Sequence, residues 1–132
     1  MAIKGKNIFL SWLSVILWMA LIFYLSSIPG KDIPRISIPH IDKAVHFAEF
    51  LVLGFLLIKA ILALGCSNIN LAKAVILSII IAFAYAFIGE WHQGFISSRM
   101  PDILDLIADF IGISAGIFIY LRRDKIGNSN AF

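Results

Sequence analysis

Apolar residues occur in four long runs that are separated by short polar or proline-containing segments. The runs cover about residues 8–25, 44–64, 71–92 and 103–121. Each run is close to the roughly 20 residues that an α-helix needs to cross a bilayer. The segment 26–42 contains three prolines and a glycine, so it cannot continue a helix. The pattern predicts an all-α, integral membrane bundle of four transmembrane helices joined by short connections.

Composition supports a membrane protein with no soluble domain. Of the 132 residues, 61% are hydrophobic and 14% are charged, and the mean hydropathy is +0.95. We therefore expect a single transmembrane domain over residues 1–132, with an outer loop at 26–42 and a polar tail at 124–132. The first run is longer than the 7–15 apolar residues of a signal peptide, so we interpret it as an uncleaved helix.

The distribution of lysine and arginine predicts the orientation of the bundle. Four spans place both termini on one side, and that side carries seven of the basic residues: Lys4, Lys6, Lys59, Lys73, Arg122, Arg123 and Lys125. The other side carries four: Lys31, Arg35, Lys43 and Arg99. The positive-inside rule then predicts that both termini are cytoplasmic in a multi-pass plasma-membrane protein. Topology explains the basic residues, so nothing in the sequence favours nucleic-acid binding.

Acidic residues concentrate in the outer half of the bundle, on single helical faces. Asp42, His46 and Glu49 are spaced i, i+4 and i+7 in the second run, which places them on one stripe of a helix. Glu90 and Gln93 lie one turn apart near the outer end of the third run. Both sets of residues are therefore predicted to form polar helix faces near the same end of the bundle.

The fourth run combines an acidic stripe with a stripe of small residues. Asp102, Asp105 and Asp109 are spaced i, i+3 and i+7, and Gly112 and Gly116 continue from Asp105 and Asp109 at helical spacing. Small residues on one face let a neighbouring helix approach closely. We therefore expect the acidic face of this helix to be its packing face, turned toward the bundle.

These acids require an explanation, because a charged residue deep in the bilayer costs at least about 2.5–3.5 kcal/mol. Glu49 and Asp109 lie roughly two turns inside their helices. Carboxylates drawn together need protons, a cation or the basic partners Lys43, His46 and Arg99. The sequence leaves two interpretations open: a site for a charged ligand, or a network of ion pairs that holds the helices together.

Two segments resemble the VanZ-like family of small bacterial membrane proteins. They are DKAVHFAEFLVLG at residues 42–54 and AYAFIGEWHQGFISSRMPDILDLIADFIGISAG at residues 84–116. The matching positions are Asp42, Lys43, His46 and Phe47 for the D-K-x-x-H-F signature, Glu90 and Gln93 for E-x-x-Q, Arg99 for the lone arginine, and Asp105 for the aspartate of D-x-x-x-N. Asp109 stands where that family usually has asparagine.

The resemblance implies a plasma-membrane protein that acts on the cell envelope. The founding member is associated with reduced sensitivity to glycopeptide antibiotics such as teicoplanin, which bind cell-wall precursors outside the membrane. It implies no settled reaction. No nucleophile with a base at a suitable spacing is evident either, so binding and catalysis both remain open.

Our first hypothesis is an outward-facing polar pocket that recognises, or recognises and modifies, an anionic membrane lipid or lipid-linked cell-wall precursor. Cationic side chains meet a phosphate well, and carboxylates next to a histidine suit acid–base chemistry. The candidate ligand-binding residues are Lys43, His46, Glu49, Glu90, Gln93, Arg99, Asp105 and Asp109. The candidate catalytic residues are His46, Glu90 and Asp105.

Three other hypotheses stay open. No cofactor is otherwise predicted, but a divalent metal bound by His46, Glu49, Glu90, Asp105 and Asp109 makes a membrane-embedded hydrolase conceivable. A non-catalytic bundle that serves structure or partner binding is the second. A transport or proton-relay role is the third, although the cytoplasmic halves of the runs are apolar except for Lys59, Lys73 and Ser78.

Overall fold

Four long helices make up most of the protein. A computed structural model describes the backbone of residues 2–32 and 39–129 and the side chains of residues 7–32 and 39–125. The helices are α1 (Ala2–Ser26), α2 (Ile41–Ala63), α3 (Leu71–Gln93) and α4 (Ile103–Ser129), with a short 3-10 turn at Gly30–Asp32. The described ranges contain no strand. Each helix is long and apolar enough to cross a membrane, which confirms the predicted all-α bundle of four transmembrane helices.

Helices α2 and α4 extend beyond the apolar runs into the neighbouring polar residues. α2 begins at Ile41, so Asp42 and Lys43 lie in its first turn, where a carboxylate interacts favourably with the helix dipole. α4 continues to Ser129, and part of the expected polar tail is therefore helical. Residues 33–38 of the expected outer loop and 130–132 of the tail lie outside the described residues.

α2 and α4 form the central pair of the bundle. They share the largest interface, α1 packs mainly against α2, α3 packs against both, and α1 and α3 touch each other only slightly. Successive helices run in opposite directions, because Ser27 after α1 contacts His92 near the end of α3 and Lys43 in the first turn of α2 contacts Asp102 just before α4. The last turns of α1 and α3 therefore meet the first turns of α2 and α4 at one end of the bundle, which we call the acidic end.

Glycines allow α2 and α4 to approach until their backbones touch. A Cβ atom at Gly112 would overlap the carbonyl oxygen of Phe47, and one at Gly116 would overlap that of Leu51. A Cβ at Gly54 on α2 would lie 2.9 Å from the Cα of Ile113. Because no side chain separates the two helices, residues one or two turns further toward the acidic end are held within contact distance of each other.

The outer surface of the bundle is apolar, as a bilayer requires. Leu53, Leu57 and Ile113 are fully buried between the helices. Large hydrophobic side chains that point outward and are at least half exposed include Phe9, Ile16, Leu17, Ile80, Phe87 and Phe118. A helix that is hydrophobic on every face belongs in a core or in a membrane, and these faces have no protein neighbour within the described residues.

Two hydrogen bonds attach α1 to the other helices at mid-height. The Trp18 indole N–H donates to the carbonyl oxygen of Glu49 at 2.9 Å. The Tyr85 hydroxyl donates to the carbonyl oxygen of Met19 at 2.6 Å. Both bonds use a backbone carbonyl as acceptor, so they set the height of α1 relative to α2 and α3 whatever side chain the acceptor residue carries.

Candidate functional site

A group of buried ionisable side chains occupies the acidic end of the bundle. α2 contributes Lys43 and His46, α3 contributes Glu90, and α4 contributes Asp105 and Asp109. The three acids are almost inaccessible to solvent, with 4%, 6% and 1% of Glu90, Asp105 and Asp109 exposed. Carboxylates this buried are retained only with partners or ligands, so their contacts decide what the site can do.

Lys43 is surrounded by carboxylates. Its Nζ atom donates hydrogen bonds to Asp42 Oδ2 at 2.8 Å and to Asp102 Oδ2 at 2.6 Å. Asp105 Oδ1 lies 2.7 Å from the same nitrogen and forms an ion pair with it. The ammonium beside Asp102 holds the pKa of that carboxyl below its ordinary value. Three acids therefore neutralise Lys43, which leaves it poorly suited to bind an anionic ligand.

His46 lies at the centre of the remaining acids. Its Nδ1 atom is 3.1 Å from Asp109 Oδ1 and 3.9 Å from Glu90 Oε1, and its Nε2 atom is 3.9 Å from Asp105 Oδ2. An ionised carboxylate only accepts hydrogen bonds, so the imidazole donates from Nδ1 when Asp109 is charged. Helix packing thus brings one histidine within reach of carboxylates from both α3 and α4.

Apart from Asp105 Oδ1, which pairs with Lys43, two buried carboxylate oxygens in this group accept no hydrogen bond from the residues that the structure describes. Glu90 Oε2 accepts the backbone N–H of Asp102 at 3.0 Å. The other oxygen, Glu90 Oε1, and Asp109 Oδ2 are buried and have no hydrogen-bond partner within the part of the chain that the structure describes. Nearly all buried polar atoms in proteins are paired with protein, water or ligand, so a proton, a water molecule or a cation has to satisfy these two oxygens.

Two cavities adjoin His46, and the inner one is also lined by Glu90 and Asp109. The inner recess has a volume of about 30 Å³, which exceeds the roughly 10–15 Å³ that one water molecule needs. The outer cavity has a volume of about 360 Å³ and lies between the ends of α1 and α2 and the turn before α4. Both cavities are lined by Ser26, His46, Glu49 and Gln93. A ligand in the outer cavity is therefore adjacent to the inner recess.

Arg99 lies apart from the buried acids, at the wall of the outer cavity. Its Nε atom donates to the carbonyl oxygen of Ile28 at 3.3 Å, and its Nη2 atom donates to that of Leu25 at 3.2 Å. Leu25 belongs to the last turn of α1, whose carbonyl groups have no partner inside the helix. Arg99 thus caps α1 and presents the rest of its guanidinium to the cavity.

The structure gathers five of the eight candidate ligand-binding residues into one cluster: Lys43, His46, Glu90, Asp105 and Asp109. Glu49 and Gln93 line both cavities, and Arg99 belongs to the outer cavity alone. The three candidate acid–base residues are in the cluster. Of the five candidate metal ligands, His46, Glu90 and Asp109 have ligand atoms within 4.8 Å of one another, whereas Glu49 and Asp105 are outside that group.

Three acids at this end were not among the candidate site residues: Asp32, Asp42 and Asp102. Asp42 binds Lys43 and lines the outer cavity. Asp102 binds Lys43 through its side chain and Glu90 through its backbone, and Asp32 lines the outer cavity from the turn after α1. Asp102 shares the helical stripe of the other acids in the fourth run, and that spacing could have identified it. Asp32 lies in a loop, where residue spacing carries no directional information.

Fold and site together define a small multi-pass membrane protein with a buried histidine–carboxylate cluster at one end of a four-helix bundle. The VanZ/LLP1 family model matches residues 10–124, and the chain belongs to this family, as its motifs indicate. A multi-pass protein of this family is expected in the plasma membrane. Searches of curated proteins and of solved structures find no match.

Proposed function

We propose that this protein recognises the head group of an anionic envelope lipid or lipid-linked cell-wall precursor in the outer cavity. The observation that carries the proposal is the mixed lining of that cavity. Its apolar residues are Leu25, Ile28, Ile41 and Val45, and its polar residues include Ser26, Asp32, Glu49, Gln93 and Arg99. A site that adjoins a bilayer and combines both kinds of side chain suits a molecule with an apolar chain and a polar head.

Arg99 is the residue that we propose contacts a phosphate. A guanidinium has five N–H donors and binds phosphate oxygens in a bidentate manner. Its contacts with Leu25 and Ile28 employ Nε and Nη2, which leaves Nη1 for a ligand. The same two contacts hold the guanidinium in place, so little side-chain entropy is lost when a ligand binds.

The predicted orientation places this cavity in the outer leaflet. Cytoplasmic termini, as the lysine and arginine distribution indicates, put the ends of α1 and α3 on the outside. Lipid-linked cell-wall precursors are displayed there, and glycopeptide antibiotics bind them there. We therefore propose that tolerance to teicoplanin, the property associated with the founding member of the family, follows from binding such a precursor.

A second candidate function is metal-dependent hydrolysis of the bound lipid. It is favoured by the convergence of His46, Glu90 and Asp109 beside the recess, because three protein ligands with an open position are typical of hydrolytic metal sites. If no lipid binds, the remaining interpretation is a bundle that only binds a protein partner and whose acids stabilise the packing of the helices.

Native mass spectrometry of the full chain in mild detergent tests the proposal. We expect wild-type protein to retain a lipid whose mass identifies its class, and Arg99→Gln to lose it. Arg122→Gln is the matched control: it also removes one guanidinium, but Arg122 is on the far part of α4, over the ring of Phe118. The control should keep the lipid.

The outcomes separate the candidate functions. Wild-type protein without any lipid, or equal retention by both arginine variants, refutes the head-group site. A retained lipid that appears as cleaved product only in metal-replete samples supports hydrolysis. Cells that express the chain should tolerate more teicoplanin than cells that express Arg99→Gln at the same level, and equal tolerance refutes the link to glycopeptides.

A further inference from the structure

We propose that His46, Glu90 and Asp109 bind one divalent transition-metal cation at the inner recess. The set offers an imidazole nitrogen from α2, a carboxylate from α3 and a carboxylate from α4. Imidazole suits zinc and related ions, whereas carboxylate is also a good ligand for manganese. Three ligands from three helices make a site that forms only when the bundle is assembled.

The distances in the cluster are close to those of a metal site. Metal–ligand bonds of about 2.0–2.2 Å in a tetrahedral site place the ligand atoms about 3.4 Å apart. His46 Nδ1 lies 3.1 Å from Asp109 Oδ1 and 3.9 Å from Glu90 Oε1. All three ligand atoms lie within 4.8 Å of one another. Small side-chain rotations therefore bring the ligands to bonding distance.

An independent observation indicates that something binds here. Glu90 Oε1 and Asp109 Oδ2 are buried without a hydrogen-bond partner in the described residues, and both side chains line the inner recess. Glu90 Oε1 has only the 3.9 Å contact with His46 Nδ1, which is too long for a hydrogen bond. The unused lone pairs of the two oxygens beside a recess of about 30 Å³ match the requirements of a bound cation.

Neighbouring groups support the ligands in the way that metal sites require. Metal-bound carboxylates are usually held by hydrogen bonds from a second layer of residues. Glu90 Oε2 accepts the backbone N–H of Asp102, which leaves Oε1 directed at His46. Lys43 binds Asp102 and Asp105 and does not contact the three proposed ligands. The lysine therefore neutralises the surrounding acids without competing with the cation.

The charge of the acidic end favours a cation over protons alone. Six acids lie around Lys43 and His46: Asp42, Glu49, Glu90, Asp102, Asp105 and Asp109. Arg99 is a further cation at the wall of the outer cavity. This excess of negative charge opposes the anionic head group proposed for the adjoining cavity, and Arg99 offsets only one of these charges. A divalent ion offsets two of these negative charges, and its open coordination position can accept a phosphate oxygen. This bridging role rests on the proposed head-group site, whereas the metal site stands on its own ligands.

Titration with Mn²⁺, followed by electron paramagnetic resonance of the free ion, tests the metal site. The full-length protein is purified in mild detergent, treated with chelator and titrated without added lipid. We expect one saturable Mn²⁺ per chain, which Zn²⁺ displaces. Loss of a residue that only supports a ligand typically weakens metal binding about 10–100-fold, so Asp109→Asn and Glu90→Gln should each weaken it at least about ten-fold.

Asp124→Asn is the matched control, because it removes one carboxylate from α4 at the opposite end of the bundle; it should bind Mn²⁺ like wild type. Absence of saturable binding in folded wild-type protein overturns the proposal, and so does unchanged binding in Asp109→Asn. Circular dichroism and gel filtration verify that each variant is folded. If one ligand variant fails to fold, the other ligand variant and the wild-type titration decide the outcome.

Native mass spectra with Mn²⁺ and with chelator distinguish the two proposals. Lipid that is retained only in the presence of Mn²⁺ supports the proposal that the metal ion bridges the protein and the phosphate. Lipid retained equally with chelator overturns the bridge but leaves both the head-group site and a measured Mn²⁺ site intact. Mn²⁺ bound without any lipid supports the metal site and refutes the proposed function.

Discussion

Replacing Gly116 by alanine tests whether direct backbone contact between α2 and α4 assembles the site. The new Cβ atom would lie 2.9 Å from the carbonyl carbon of Leu51 and 2.9 Å from the amide nitrogen of Phe55, and it would overlap the Leu51 carbonyl oxygen. These are backbone atoms, so no change of rotamer relieves the overlap. The two helices have to separate.

Two opposing effects determine the magnitude. Alanine stabilises a helix interior by about 0.8–1 kcal/mol relative to glycine, and overpacking of a tight interface costs about 1–3 kcal/mol. We expect overpacking to win, because a separation of α2 from α4 loosens the largest interface in the bundle. The two ranges differ by about 0–2 kcal/mol. Because the overlap is with backbone atoms, Gly116→Ala should lower the free energy of unfolding by an amount near the upper end, about 2 kcal/mol.

Gly89→Ala is the matched control, since a Cβ atom at Gly89 meets nothing within 4 Å. It should leave the free energy of unfolding unchanged or raise it by up to about 1 kcal/mol. Unfolding by SDS in mixed micelles, followed by the fluorescence of the three tryptophans, measures both variants. A Gly116→Ala protein as stable as wild type, or an equal loss in Gly89→Ala, refutes the close-contact argument.

Two further predictions concern single contacts. Tyr85→Phe removes the hydrogen bond to the Met19 carbonyl and should lower the free energy of unfolding by about 1 kcal/mol. The control Tyr24→Phe, at a tyrosine that is 67% exposed, should leave it unchanged. Equal losses in the two variants would contradict the role of the bond. Lys43 lowers the pKa of Asp102. The ion pair between them therefore stabilises the fold fully above the ordinary aspartate pKa of about 3.9, and this stabilisation is lost as the pH falls through the lowered pKa of Asp102. The unfolding midpoint of wild type should therefore exceed that of Asp102→Asn at pH 6 and converge with it as the pH is lowered below 3.9, and a constant difference would contradict the ion pair.

Local patterns in the sequence determined the number and type of the helices and the faces on which their polar residues lie. Four apolar runs of spanning length predict four transmembrane helices, because in a bilayer every backbone group must be hydrogen-bonded within its own segment. The spacing of Asp105, Asp109, Gly112 and Gly116 also placed acids and glycines on one face of α4. These properties depend on helical periodicity, which residues a few positions apart decide.

Tertiary structure alone decided which of these polar residues meet. Lys43 binds Asp102 and Asp105, and Arg99 caps α1. The height and rotation of one helix against another depend on where the glycines permit backbone contact. They also depend on the residue at which each connecting segment ends and the next helix begins, which is Ile41 for α2 and Ile103 for α4. A shift of one residue rotates a helix by about 100°, so the partners of a side chain on another helix follow from packing and not from spacing along the chain.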